Sequence, residues 1–386
     1  MGTNDPASYL TEANSITVND GTGSSVVNAS DGAILAGFTA DVEFDVVDTA
    51  NLVAAEVAGS GYGSGSLDEA NDLVVSGGDV DTVAAAAIQQ ISEYNETGSA
   101  YEITDNAAAV ISAGDSVIED GGVTRVEVTG DASAAQGVDL NAYSANVDFD
   151  VRDTAENIAD NSGSLGKAEE VFVVSGGDPV NVAEAQAIQG LAGYQTGASE
   201  YEIEDNSAAI ISATDSVLDN GNIHVDVTNT VGASDGAMLA SFTADIDFDV
   251  SDTAANLAAQ VASGVASGSG PDSLDEADSV FVESGAAVTA AQAESVQDLL
   301  NYSGGDIDIT DNAANLISAG DHVLNVTGVD VVTVNDGATT AQEGAILASF
   351  TADVEFDVAD DVGALKSVMG TNDPASYLTE ANSITV

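Results

Sequence analysis

The hexapeptide DVEFDV at residues 41–46 decides the fold, because close copies of it recur along the chain. The other copies are NVDFDV at 146–151, DIDFDV at 245–250 and DVEFDV at 353–358. In the first copy Val42, Phe44 and Val46 alternate with acids, which indicates a β-strand with one apolar and one acidic face. Each copy leads into an Ala-rich segment of helical composition, such as DTAANLAAQ at 252–260. The repeating unit is therefore a strand followed by a helix.

Four such units fill each interval between the first three copies of the hexapeptide and the next. The central residues Phe44, Phe149, Phe248 and Phe356 lie 105, 99 and 108 residues apart. One strand and one helix in roughly 26 residues is typical of a solenoid, whose coils are too small to bury their own apolar faces. Parallel strands lie about 4.8 Å apart, whereas packed helices need about 8 to 10 Å. We therefore expect an α/β repeat solenoid with a parallel β-sheet and one short helix per coil, curved or superhelical.

The repeat pattern predicts a single continuous solenoid over residues 1–386. Its long repeats span about 38–142, 143–241 and 242–349, and a shortened repeat at 350–386 continues into the equivalent of 1–37. Residues 369–386 copy residues 1–18 letter for letter, and the two copies start 368 residues apart. We interpret the chain as one period of a tandem array with the start of the next. The alternative is one protein that carries the same duplicated segment twice.

Aspartates that precede the helices are the predicted helix caps, because an Asp side chain can accept hydrogen bonds from the first free amides of a helix. They are Asp48, Asp153, Asp252, Asp105, Asp205 and Asp311.

The composition is strongly acidic, with 66 Asp and Glu against four Lys and Arg and a formal net charge of −62. Nucleic acid and anionic membrane surfaces would repel such a chain, so neither is expected as a partner. No apolar run is long enough for a membrane helix, and we expect no membrane insertion. A hydrophobic content of 44% indicates a folded chain, and without Cys its stability must come from repetitive packing.

Acids on the outward face of consecutive strands are the candidate metal ligands. Two columns are expected across neighbouring strands: Glu102, Glu127 and Asp148, and then Glu202, Asp226 and Asp247. Carboxylates on adjacent strands repel each other by about 1 kcal/mol in water. Calcium, which prefers oxygen ligands, would relieve this repulsion. The alternative is a hydrated acidic face that is screened by salt and holds no ordered ion.

Apolar residues in the second strand of each repeat are predicted to face outward and form an interface. They are Leu73, Val75, Phe172, Val174 and Phe281. An apolar ridge on an acidic surface indicates that something covers it, either a neighbouring filament or a loop of the same chain.

Catalytic motifs are not found in the sequence. His224 and His322 occupy non-equivalent positions in different repeats, and the phosphate-binding pattern G-x-x-x-x-G-K does not occur. We expect that the protein is not an enzyme.

Three segments carry a family resemblance: FDVRDTAENIAD at 149–160, FDVSDTAANLAAQ at 248–260 and DITDNAANLISAGD at 308–321. They resemble the repeats of giant tandem-repeat bacterial extracellular proteins, which include haemolysin-type adhesins and matrix or filament proteins. The resemblance implies an extracellular or cell-surface location, biofilm or filament formation, and calcium. The G-G-x-G-x-D nonapeptide of calcium-binding β-rolls is missing, so the calcium site of that family is carried over to no residue here.

Two functions are therefore expected. One is a period of a long acidic extracellular filament or matrix fibre that contacts itself end to end and laterally. The alternative is the stalk of a giant calcium-dependent surface adhesin.

Overall fold

The computed structural model describes residues 15–18, 26–38, 41–59, 66–263, 274–369 and 380–386. The strands in these ranges are β1 Ser15–Thr17, β2 Val26–Val27, β3 Asp41–Glu43, β4 Asp45–Asp48, β5 Asp72–Val80, β6 Ala100–Asp105, β7 Val123–Val128, β8 Val147–Asp148, β9 Val151–Thr154, β10 Val171–Val174, β11 Glu200–Asp205, β12 Asn222–Val227, β13 Ile246–Asp247, β14 Asp249–Thr253, β15 Ser279–Glu283, β16 Tyr302–Gly305, β17 Ile307–Asp311, β18 Val329–Val334, β19 Val354–Glu355, β20 Asp357–Ala359 and β21 Ser383–Thr385.

Helices lie between most of these strands. They are α1 Ala29–Ala36, α2 Ala50–Ala58, α3 Thr82–Gln89, α4 Ala107–Ala113, α5 Asp115–Ile118, α6 Ala134–Ala142, α7 Ala155–Asn161, α8 Val182–Gln189, α9 Ser207–Ser212, α10 Asp215–Leu218, α11 Ala233–Leu239, α12 Ala254–Ser263, α13 Ala290–Gln297, α14 Ala313–Ala319, α15 Asp321–Leu324, α16 Ala341–Leu347 and α17 Val362–Met369. Short 3-10 helices add Ser66–Glu69, Ser162–Ser164 and Thr196–Ala198.

The described strand pairings are parallel, and neighbouring strands within a sheet follow one another along the chain with few exceptions. The largest sheet has the order β2-β4-β5-β6-β7-β8. Three-stranded sheets join β11-β12-β13, β14-β15-β16 and β17-β18-β19, and two-stranded sheets join β1-β3, β10-β9 and β20-β21. Because parallel neighbours need a crossover, the helix after each strand supplies it. The predicted alternation of parallel strands and helices is therefore confirmed.

The repeated hexapeptide does not form one strand in any of its copies. It breaks at its phenylalanine into β3/β4, β8/β9, β13/β14 and β19/β20. Phe44, Phe149, Phe248 and Phe356 are buried. The first half of each copy pairs with an earlier strand and is the last strand of its sheet, whereas the second half belongs to a different set of pairings.

A glycine on the helix before each hexapeptide lets the helix approach this phenylalanine. In α6, a Cβ on Gly137 would lie 2.7 Å from Leu165 Cδ2, 3.0 Å from Val151 Cγ2 and 3.4 Å from Phe149 Cε2. The same position is Gly32 in α1, Gly236 in α11 and Gly344 in α16, each with a similar approach to a Val and a Phe. Close packing of helix on strand therefore recurs once in each long repeat.

The strand-end aspartates do not cap the helices that follow them, so the cap prediction is wrong. Asp153 Oδ2 accepts a hydrogen bond from the Ala134 amide of the preceding helix at 2.9 Å, while Oδ1 accepts one from Thr154 N at 2.8 Å. The cap of α7 is Thr154 itself, whose hydroxyl accepts from Asn157 N at 3.5 Å. The carboxylate turns back because the first amide of the earlier helix faces the strand end.

The same bond recurs between consecutive coils. The acceptor and donor pairs are Asp48 with Ala29, Asp105 with Thr82, Asp205 with Val182, Asp252 with Ala233, Asp311 with Ala290 and Asp360 with Ala341. Each of these carboxylates therefore joins the end of its own strand to the helix of the strand–helix unit before it.

Contacts divide the chain into two compact units. The first unit is Met1–Asp178 with Ala183–Tyr201, and the second unit is Pro179–Val182 with Glu202–Val386. Helices of the described residues are all too short or too polar to span a bilayer.

Candidate cation-binding columns

The first acidic column, Glu102, Glu127 and Asp148, lies on β6, β7 and β8 of the first unit. Glu127 is paired directly with Asp148. Glu102 is paired with Arg125, because a register shift between Tyr101 and Glu102 offsets β6 from β7. The three acids therefore occupy adjacent strands as predicted, but Glu102 faces a basic residue.

The guanidinium of Arg125 contacts all three carboxylates of the first acidic column. Its Nη1 lies 2.9 Å from Glu127 Oε2 and 3.7 Å from Glu102 Oε2, and its Nε donates to Asp148 Oδ2. The hydrogen bond with Asp148 is the largest effect that raises the pKa of Arg125 above its ordinary value. The chain thus places one of its four basic side chains where the sequence predicts a metal ion.

The second acidic column, Glu202, Asp226 and Asp247, lies on β11, β12 and β13 of the second unit. Asp226 is paired with Asp247, as Glu127 is with Asp148. His224 precedes Asp226 by two residues, as Arg125 precedes Glu127, so the histidine takes the position of the arginine. Its Nε2 lies 3.1 Å from Asp247 Oδ2.

His224 also lies close to the other two acids of this column. One ligand atom from each of Glu202, His224 and Asp226 lies within 4.8 Å of the others. The sequence interpretation missed His224 as a site residue. The alternation of H-V-D at 224–226 was the available signal, because residues two apart on a strand face the same side.

The third repeat has a weaker version of the column. Asp308 is paired with Val331, and Thr333 is paired with Glu355. A valine therefore stands where the earlier repeats have Arg125 and His224, and a threonine replaces one carboxylate. The third column therefore has two carboxylates and no polar side chain at the position of Arg125 and His224.

Further acids surround the second acidic column. Asp245, Asp247, Glu276 and Asp278 line a cavity of about 500 Å³. Burial, followed by the charges of Asp247, Asp249, Asp226 and Asp245, raises the pKa of Asp278 above its ordinary value. The position of Glu276 corresponds to Lys167 in the first unit, whose Nζ donates to the Tyr143 carbonyl. The second unit thus has an acid where the first has a base.

The predicted apolar interface needs a correction. Leu73 and Val75 are fully buried and face the core, so their assignment to the outer face is wrong. Leu73 is paired with Val46, whereas Val74 is paired with the exposed Val47. The shared ending VVSG of DLVVSG and EVFVVSG suggests that Leu73 is equivalent to Phe172, but the pairing makes it equivalent to Val171, and a shift of one residue exchanges the two faces of a strand.

The other three residues do lie on the outer face. Phe172 and Val174 are half-buried, and Phe281 is 47% exposed. The guanidinium of Arg152 lies 4.4 Å from the centre of the Phe172 ring, and its Nε donates to Asp131 Oδ2 at 2.6 Å. A side chain of the same chain therefore covers Phe172. Phe281 is paired with Ser251, at the position of Arg152, and is left open to solvent.

The sequence matches no known protein-family model, and no curated protein is significantly similar to it. The resemblance to giant bacterial extracellular repeat proteins therefore stays a prediction.

Proposed function

We propose that this chain is a structural protein, one period of a long acidic extracellular filament or matrix fibre. In this proposal an α/β solenoid runs through each period and continues into the next. The duplicated segment at 1–18 and 369–386 supports this function, which involves no catalytic step.

The observation that carries the proposal is the pairing of the two copies of the strand Ser-Ile-Thr. The first copy, β1, pairs with the later strand β3, with Ile16 opposite Val42. The second copy, β21, pairs with the strand that precedes it, with Ile384 opposite Val358. The same three residues can thus accept a parallel neighbour on either edge. A segment used once at a junction would join β20 of one period to β3 of the next without interrupting the sheet.

The bonds between consecutive coils support the same proposal. In every second strand–helix unit an aspartate at the strand end accepts an amide hydrogen bond from the helix of the unit before it, and the pattern continues to Asp360, just before α17. Asp360 N in turn donates to the carbonyl of Thr385 at 3.2 Å. Contacts of this kind link neighbours only, as in a repeat protein that can be extended by adding units.

Calcium along the acidic face remains part of the proposal. Calcium in the first acidic column would have to displace Arg125, and the second acidic column contains an imidazole, a ligand that calcium seldom takes. Calcium would therefore act mainly as a counter-ion to outward carboxylates rather than as a resident ion of these two columns.

A chain of two periods tests the proposal, with residues 1–386 followed directly by 19–386 so that the shared segment occurs once at the junction. Amide hydrogen exchange at the Ser383–Thr385 strand should be slower in this chain than in the single period, because both strand edges are paired. Ile384→Pro at the junction should remove the added protection, and Ile384→Val should retain it.

Electron microscopy of the same chain supplies a second readout. Rods that lengthen in proportion to the number of periods are expected. Two globules joined by a protease-sensitive junction, with no added protection of the strand, would rule out the continuous fibre. Rods that lengthen but never associate with one another would favour the adhesin stalk over a matrix fibre.

A further inference from the structure

We propose that Glu202, His224 and Asp226 bind one divalent transition-metal ion of the zinc class, and that Asp247 orients the imidazole. The site stands independently of the fibre, because it depends only on side chains within the second unit.

The two acidic columns differ at the position of Arg125 and His224. In the first acidic column a cation, the Arg125 guanidinium, contacts carboxylates on three neighbouring strands. The second acidic column keeps all three carboxylates and replaces the arginine with His224. Equivalent strand positions therefore hold a cationic side chain in one repeat and an imidazole in the next.

The residues around the second acidic column add negative charge that would attract a cation. Of the three basic residues in the first unit, Arg125, Arg152 and Lys167, none is kept in the equivalent position of the second unit, where His224, Ser251 and Glu276 stand. Asp245, Asp249 and Asp278 add negative charge next to Asp247. Coulomb attraction for a divalent ion grows with each unpaired carboxylate nearby.

The donor set selects the kind of metal. An imidazole with two carboxylates suits zinc and its neighbours in the first transition series, whereas calcium prefers oxygen ligands alone. His224 Nε2 lies 3.1 Å from Asp247 Oδ2, and an imidazole held by a carboxylate at Nε2 offers Nδ1 to a metal. Carboxylate–histidine–metal arrangements of this type fix the ring and strengthen the ligand.

The distances allow the site to close. The three ligand atoms lie within 4.8 Å of one another, and donors around a tetrahedral zinc lie about 3.3 Å apart. Glu202 and Asp226 are half-buried and His224 is exposed, so the side chains can move inward by the remaining distance, and water can complete the coordination. The bound ion would tie β11 to β12, as Arg125 ties β6 to β7.

Calorimetric titration of the full chain with Zn²⁺ alone tests the proposal. Wild type should bind one ion, His224→Ala should bind at least about tenfold more weakly, and Asp247→Asn should weaken binding by about tenfold through the ring orientation. His224→Arg reproduces the first acidic column. It should bind no zinc at this site and should melt at least as high as zinc-free wild type, which excludes misfolding as the cause of lost binding.

The reciprocal variant is the sharpest control. Arg125→His recreates the second column in the first unit and should raise the stoichiometry from one ion to two. Binding of Ca²⁺ in place of Zn²⁺, no binding by wild type at 100 μM Zn²⁺ (a concentration about tenfold above a 10 μM dissociation constant), or His224 variants that bind like wild type would each overturn the assignment.

Discussion

Asp153 Oδ2 accepts a hydrogen bond from the amide of Ala134, 19 residues earlier, and this bond joins the end of β9 to the first turn of α6. Similar bonds recur in every second strand–helix unit, so some of the acidic residues make contacts within the fold. Burial raises the pKa of Asp153, but bonds from Asn157, Ala134 and Thr154 outweigh it and hold the net pKa below its ordinary value. Hydrogen bonds likewise outweigh burial at Asp252 and Asp105 and hold the pKa of each carboxyl below its ordinary value.

The first prediction concerns Asp153→Asn. Because the pKa is lowered in the folded state, the carboxylate stabilises the fold fully at pH values above the pKa of an aspartate in the unfolded chain, about 3.9. This contribution is lost as the pH falls through the folded pKa. At pH 7 the variant should be less stable by about 1 kcal/mol, the usual value of a helix-end bond, in urea unfolding.

The pH dependence of the difference is the decisive measurement, because reduced charge repulsion near the pI stabilises both proteins alike. The difference in unfolding free energy between wild type and variant should be constant above about pH 5 and should shrink as the pH falls below about 3.9 and through the lower folded pKa of Asp153. Asp160→Asn, at an exposed position of α7, is the matched control and should show no difference at any pH. An Asp153 variant with a constant difference down to pH 2 would contradict this account.

The second prediction concerns Gly137→Ala in α6. Alanine normally favours a helix over glycine by about 0.5 to 1 kcal/mol. Here the new Cβ would lie 2.7 Å from Leu165 Cδ2 and 3.0 Å from Val151 Cγ2, both buried. The clash should dominate, and the variant should lose about 1 to 3 kcal/mol in urea unfolding. Gly163→Ala, with open space at its Cβ, should be neutral or slightly stabilising, and equal effects at both positions would count against close packing.

The fold class could be predicted from the sequence, and the details of register could not. Alternation in DVEFDV and the Ala-rich segments after it indicated parallel strands with helical crossovers. The break at Phe44 was not visible, because it depends on the two different strands that its halves pair with. The prediction placed Leu73 on the outer face, where the structure has Val74, for the same reason. A shift of one residue in register decides which side of the strand is buried.

The candidate site was predicted in part for a similar reason. The six column acids could be found because they recur at equivalent strand positions. The partner of each acid depends on a register shift between Tyr101 and Glu102, which brings Arg125 opposite Glu102. The cap assignment failed because an aspartate can bond either to its own helix or to the one before, and only the packing of consecutive coils decides between them.

The third prediction concerns Arg125→Ala. Removal of the guanidinium leaves Glu102, Glu127 and Asp148 without their shared cation. The melting temperature should fall most in low salt and less at high ionic strength, because screening replaces the lost charge. Calcium at millimolar concentration should restore more stability to the variant than the same ionic strength of NaCl does, because the emptied column then offers oxygen ligands alone.

The control is wild type under the same calcium titration. Arg125 already occupies its first acidic column, so at equal ionic strength calcium should shift its melting temperature less than it shifts that of the variant. Equal calcium responses in the two proteins would show that calcium acts by charge screening and does not bind in the emptied column.

The fourth prediction concerns the two outward phenylalanines. Phe172 lies beneath Arg152, whereas Phe281 faces Ser251 and stays 47% exposed. Phe172→Ser should therefore destabilise the folded chain without a change in association, because the ring is covered from within. Phe281→Ser should leave stability within about 0.5 kcal/mol, as is usual for surface substitutions, and should weaken lateral association of fibres.

Sedimentation velocity on purified two-period chains would measure that association, and Ser251→Arg supplies the matched test. An arginine at 251 should cover Phe281 as Arg152 covers Phe172, with a cation–π contact worth about 0.5 to 1 kcal/mol at an exposed site. It should therefore reduce association as Phe281→Ser does while raising stability. If lateral association proceeds unchanged in both variants, the fibres do not meet through Phe281, and the apolar ridge has no role between filaments.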